Sequence, residues 1–270
     1  NEYPPVPHFL PLPFSEGFAV GPEFADGVPA VQSAARRILR KGFDFVKVCT
    51  SGGVTSPADR PEYTEWTLEE LKAIVYEAKA RGKAVMAHAS GTQGIKNAIL
   101  AGIWSVEHGS ILDDECIGMM VERGTYFVPT LTVVDALVNQ PDRFGLSDFA
   151  RSKVETVART HSDSFRKAAA AGVRIAAGTD NIEDWMHGKN AHELELMVRY
   201  GFTPMQAIVS ATKISAEACR VNDRTGTLEP GKMADLLIVD GNPLEDITVL
   251  QDQSRLKLVM KEGKSYVKKL

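Results

Sequence analysis

The sequence predicts a parallel α/β fold of the (β/α)8 TIM-barrel type, followed by a small C-terminal β-sandwich segment. Three observations point there. Short apolar strand candidates alternate with amphipathic helical stretches at intervals of about 20–25 residues. Most of those helical stretches stop at a glycine, which takes the left-handed C′ position without steric cost. No GxGxxG follows a strand, so a dinucleotide-binding doubly wound sheet lacks its fingerprint.

Residues 1–27 hold six prolines and no period, and read as an irregular segment. From Val28 a helical stripe runs through Val31, Ala35, Ile38 and Leu39 to a stop at Gly42. The first strand follows at 43–48, and then a Ser51-Gly52-Gly53 turn. Thr67 and Glu70 form a capping-box signature, with Leu68, Leu71, Ile74, Val75 and Ala78 as the buried stripe behind it. Strands are predicted at 84–88, 103–108, 125–129 and 173–177, each preceded by a helix. The longest helix is expected over about 148–171. Two more helices follow, one near 191–200 and one with Thr203 as N-cap and Pro204 at N1. This makes five barrel strands, where a closed barrel has eight. Beyond residue 232 the pattern changes to strands around the turns at Gly241-Asn242-Pro243 and Glu262-Gly263-Lys264. The expected organisation is therefore an irregular segment 1–27, a partial barrel 28–232 and β-sandwich strands 233–270.

Composition narrows the function classes. The chain has 270 residues, 44% hydrophobic and 24% charged, as in an ordinary globular protein. A net charge of −4 and the lack of a basic run argue against nucleic acid as a partner. No apolar run reaches the roughly 18 residues that span a membrane, and no signal peptide opens the chain. A cytoplasmic location is the resulting expectation. The three cysteines show no CxxC spacing, which argues against a disulfide framework or a thiolate zinc site.

Four polar residues fall at strand ends: Lys47 within the first strand, His88 and His108 closing the next two, and Asp180 after the last. In a β/α barrel such ends converge on one mouth. Two histidines, a carboxylate and a modifiable lysine suit a divalent metal such as zinc. Lys47 sits among apolar neighbours, where burial would lower its pKa and make the amine nucleophilic. It could then form a Schiff base or a carbamate; equally, its tip could reach solvent past the strand end. His187 could equally contact substrate or sit at the surface, while His161 reads as a solvated mid-helix residue and His8 has no assignable role.

These motifs resemble the amidohydrolase superfamily, in its imidazolonepropionase-like and Xaa-Pro (Xaa-Arg) dipeptidase-like branch. Residues 45–57, FVKVCTSGGVTSP, are similar to its carbamylated-lysine strand. Ala87-His88-Ala89-Ser90-Gly91 resembles the fifth-strand histidine motif, and Ser105-Val106-Glu107-His108-Gly109 the sixth. Gly178-Thr179-Asp180 resembles the eighth-strand aspartate. The stretches 225–237 and 259–264 resemble the return to a β-sandwich and its closing strand. The likeness runs from about residue 26 to the C-terminus, and it is specific through the order and spacing of the motifs.

The resemblance implies a binuclear metal-dependent hydrolase of an amide-type C–N bond, in a dipeptide, N-acyl amino acid, cyclic amide or carbamate. It implies two divalent ions, zinc for preference, bridged by Lys47 carboxylated by CO2. His88 and His108 would bind one ion. Asp180 would bind the other and shuttle the proton as a metal-bound hydroxide attacks. It also implies a small amide or peptide-like substrate and a homo-oligomer.

Two departures stand out. The family carries an HxH pair on its first barrel strand, and this chain has none. An N-terminal part of roughly 130–160 residues is then expected to precede Asn1, or else a non-catalytic fragment that needs a partner chain. Close dipeptidase relatives place Tyr or His where this chain has Ser90, a shorter reach to a tetrahedral intermediate. A deaminase of the same superfamily is the other enzymatic alternative; a bridging carboxylated lysine argues against it.

Overall fold

The computed structural model describes residues 23–56 and 59–269. The proline-rich opening with His8, and Pro57 in the first motif, lie outside them.

Each helix forms where a stripe of apolar residues meets start and stop signals. Helix α1 (Val28–Arg40) buries Val31, Ala34, Ala35 and Leu39. Strand β1 (Phe45–Cys49) turns Val46 and Val48 toward the helices and leaves Lys47 and Cys49 on the opposite, exposed face. Helix α2 (Leu68–Lys79) starts on the predicted capping box, where Thr67 and Glu70 satisfy each other's backbone N–H groups. Strand β2 (Ala84–Ala89), helix α3 (Thr92–Ala101), strand β3 (Ser105–His108), helix α4 (Asp114–Arg123) and strand β4 (Tyr126–Val128) repeat the alternation. Gly102 and Gly124 end α3 and α4 in the left-handed conformation.

The four strands are parallel and ordered β1-β2-β3-β4. Their helix-facing residues, among them Val46, Val85, Ala87, Val106 and Phe127, join two apolar clusters with α1–α4. Sequential order with helices on one face is barrel winding; a doubly wound sheet reverses its order and is covered on both faces.

The fifth predicted strand, 173–177, is reduced to a parallel bridge between Phe127 and Ile175. Phe127 N–H donates to Arg174 O at 2.9 Å, and Ala176 N–H to Phe127 O at 2.9 Å. The rest of that segment bonds to hydroxyls: Ser210 Oγ donates to Ile175 O, and Ala177 N–H donates to Ser215 Oγ. Those serines bracket a π-helical turn, Ser210–Ile214, between α8 (Pro204–Val209) and α9 (Ser215–Ala218).

Helix α5 (Leu131–Asn139) forms soon after β4, because Leu131, Val133, Ala136 and Leu137 have core to bury against. Helix α6 (Asp148–Ala170) is the long helix predicted, and α7 (His192–Arg199) follows. The C-terminal unit is an antiparallel sheet of β5 (Leu236–Val239), β6 (Leu256–Lys261) and β7 (Lys264–Lys268). Its β6–β7 hairpin turns on Glu262 and Gly263, with φ of 51° and 76°, the double positive φ of a two-residue loop. Among the described residues no helix is long and apolar enough to cross a membrane.

Candidate active site

The carboxyl ends of β1–β4 bring the predicted histidines into contact. The rings of His88 and His108 meet edge to face with centroids 4.5 Å apart. His88 reaches this position as the last inward residue of β2. His108 reaches it through a kink: its φ is 72°, in the left-handed region that a non-glycine residue rarely takes. The next residue, Gly109, has φ 53°, and a Cβ there would strike the Phe127 ring.

Burial lowers the pKa of both histidines. For His88 the Lys47 charge adds to the lowering, while the Gly52 carbonyl and the charges of Asp180 and Asp59 oppose it. For His108 burial dominates and the neighbouring His88, Lys47 and His161 act in the same direction. Both rings are thus uncharged near neutral pH, the form that coordinates a cation. Their hydrogen bonds among the described residues use one nitrogen each. His88 Nε2 meets Gly52 O at 3.3 Å, and His108 Nδ1 meets Thr130 Oγ1 at 2.7 Å. His88 Nδ1 and His108 Nε2 are therefore the nitrogens left for a ligand. Such a neutral, oriented pair of nitrogen donors fits a divalent metal.

The other two members stand near the pair without closing on it. Lys47 is exposed on the inward face of β1, the solvent-reaching one of its two readings: strand alternation sends Val46 and Val48, not Lys47, into the core. Asp180 is exposed with φ 51°, a second left-handed strand-end residue. Both lie close enough to bias the charge of His88 and Glu107. Among the described residues, no three His, Cys, Asp or Glu side chains converge to hold a metal ion.

Ser90 is buried, and its N–H donates to Ser51 Oγ at 2.8 Å, tying the ends of β2 and β1 together. His187 is exposed in the loop after a short 3-10 turn. His161 is the clear correction: it is 2% exposed, and its Nε2 meets His108 O at 3.0 Å. A polar stretch on a helix suggested solvent, but α6 turns this face inward under the strand ends.

Sequence reasoning also missed four supporting residues. Glu107 is buried beside His108 and accepts from Ser105 Oγ at 2.6 Å. Burial pushes its carboxyl up to about 7, against the Ser105 hydrogen bond and the Lys47 charge. Thr130 holds His108 from a left-handed backbone, φ 51°. Glu193 is fully buried and accepts from Leu131 N–H, Thr132 N–H and Thr132 Oγ, fixing the turn that carries Thr130. Lys153, 5% exposed, donates to the carbonyls of Gly53, Ser56 and Asp59 in the loop after β1. Only Glu107 sat inside a quoted motif; Thr130 reaches His108 across 22 residues, and Glu193 and Lys153 act across 61–100, separations that no local pattern encodes.

Parallel barrel winding followed by a small antiparallel sheet is the architecture of amidohydrolase-fold relatives, and comparison with known proteins agrees. The chain belongs to the Amidohydrolase family, which it matches over residues 9–266. It is 38% identical to ochratoxinase of Aspergillus niger over 248 residues, 90% of this chain and 50% of that protein. It is 29% identical to imidazolonepropionase of Caldanaerobacter subterraneus subsp. tengcongensis over 186 residues, 66% of this chain and 39% of that one. A crystal structure of a Xaa-Pro dipeptidase with bound methionine in its active site superposes with a TM-score of 0.83 at 39% identity, covering 90% of this chain and 59% of the other. The superfamily placement and its imidazolonepropionase and Xaa-Pro dipeptidase branches are thus those the motifs suggested. The chain spans about half the length of the curated relatives it matches.

Proposed function

We propose that this chain belongs to a binuclear metal-dependent amidohydrolase that cleaves an amide-type C–N bond. The observation that carries the reading is the His88–His108 pair: two uncharged rings in contact at adjacent strand ends, each with one nitrogen engaged and one left over. Relatives named ochratoxinase, imidazolonepropionase and Xaa-Pro dipeptidase support a small amide or peptide-like substrate.

In this reading His88 and His108 would hold one divalent ion, zinc for preference, and Lys47, carboxylated by CO2, together with Asp180 would hold a second. The exposure of Lys47 keeps its amine open to CO2. The metals, when bound, supply the acidity that lets water attack near neutral pH and polarise the scissile carbonyl. Asp180 accepts the proton of the attacking water and passes it to the leaving nitrogen. Ser90 and His187 are proposed substrate contacts, Ser90 through its place between the ends of β1 and β2.

The test is Asp180→Asn in the full-length protein. Turnover falls by roughly 10²–10⁴-fold, while zinc held by the histidine pair stays bound. Turnover near wild type would remove Asp180 as the proton carrier.

A further inference from the structure

Helix α6 passes beneath the strand ends and bonds them from below. His161 Nε2 lies 3.0 Å from His108 O. A carbonyl only accepts, so Nε2 carries the proton. One turn further along α6, Ser164 Oγ donates to Ser110 O at 2.9 Å and accepts from Leu112 N–H at 3.0 Å. Residues 108–112 therefore ride on this helix face.

What they hold in place is strained. His108 at φ 72° and Thr130 at φ 51° both occupy the left-handed region. That region is sterically unfavourable for an L-residue, and it persists only where the surroundings over-determine it. The kink at His108 turns its ring toward His88 and leaves Nδ1 facing Thr130. Its carbonyl, turned the other way by the same kink, would be buried without a partner if His161 were not there. His161 is 2% exposed and has no path to substrate.

We infer that His161 is a positioning residue for the site: by donating to the His108 carbonyl it locks the left-handed strand end that aims the His108 ring at the ligand position. The inference rests on the reading of His108 as a metal ligand. His161 never touches the reacting atoms; it acts through the backbone of the residue that does.

Metal affinity of the full-length apoprotein tests this, with cobalt(II) or zinc(II) alone titrated against a chelator. His161→Leu and His161→Met remove the donor, and His161→Gln returns an N–H to the same carbonyl. Either donorless variant, once folded, binds metal 10–100-fold more weakly, and the glutamine variant stays within about threefold of wild type. A folded donorless variant with wild-type affinity overturns the inference. So does a folded glutamine variant that loses tenfold or more. His108→Ala separates the two readings. If it keeps wild-type affinity, His108 is not a ligand and the function proposed above fails with it. If it loses the metal while His161→Leu does not, only the positioning role falls.

Discussion

Three non-glycine residues with left-handed backbones, His108, Thr130 and Asp180, stand at the ends of successive strand segments, and two of them are predicted site residues. Such strain concentrates where a side chain must point against the natural run of the chain. Glu193 supports one of them by satisfying the Leu131 and Thr132 N–H groups next to Thr130. Burial pushes the Glu193 carboxyl up to about 7 from an ordinary value of 4.5, against the hydrogen bonds from Thr132 and Leu131. A carboxyl whose pKa is raised on folding contributes stability in full below its unfolded value and loses it as pH rises through the folded one. Unfolding free energy of the wild type relative to Glu193→Gln should therefore decline between about pH 4.5 and pH 7, by up to about 3 kcal/mol. Chemical denaturation at several pH values measures it; a flat difference across that window contradicts the assignment.

At the scale of elements, α6 does more than cover the sheet. Lys153, His161 and Ser164 share its inward face and reach the loop after β1, the end of β3 and the segment after it. Lys153 sits among three carbonyls and 3.7 Å from the Asp59 carboxylate, while burial lowers its pKa against that charge. Lys153→Met strips the donors from Gly53, Ser56 and Asp59 at a cost of about 2–4 kcal/mol. Limited proteolysis should then cut first within residues 53–59, and the melting temperature should drop. Unchanged proteolysis would mean that the loop holds itself. Loops that carry function sit on rigid scaffolds, and here one helix ties down the loop after β1.

Across the whole molecule, a metal at the histidine pair would join β2 and β3 covalently where the sheet has only hydrogen bonds and packing. A ligand that binds the folded state alone stabilises it by about 4 kcal/mol at a thousandfold excess over its dissociation constant. Chelation of the full-length protein should therefore lower its melting temperature, and zinc should restore it. If Lys47 is carboxylated, recovery of activity will require bicarbonate together with zinc. Recovery with zinc alone at full yield would set the carbamate bridge aside, and a melting temperature indifferent to chelator would set the metal aside.

Legibility followed the range of the forces involved. Period, capping and glycine stops are local, so α1–α4, α6, the Thr67–Glu70 capping box and the Thr203 N-cap with Pro204 at N1 were readable from residues a few positions apart. Parallel strands closed by His88 and His108 were readable because barrel winding gathers strand ends by rule. The sequence could not say that 173–177 would bond to serine hydroxyls rather than to a full ladder, nor that α5 would form soon after β4. It misread His161 for the same reason: a helix face is polar to the eye whether it meets water or buried carbonyls. By itself the sequence determined the family, the order of elements and the identity of the paired histidines. Only the tertiary structure decided which side chains hold them, because a buried hydrogen bond is set by what lies across the fold, and neighbours along the chain carry no record of it.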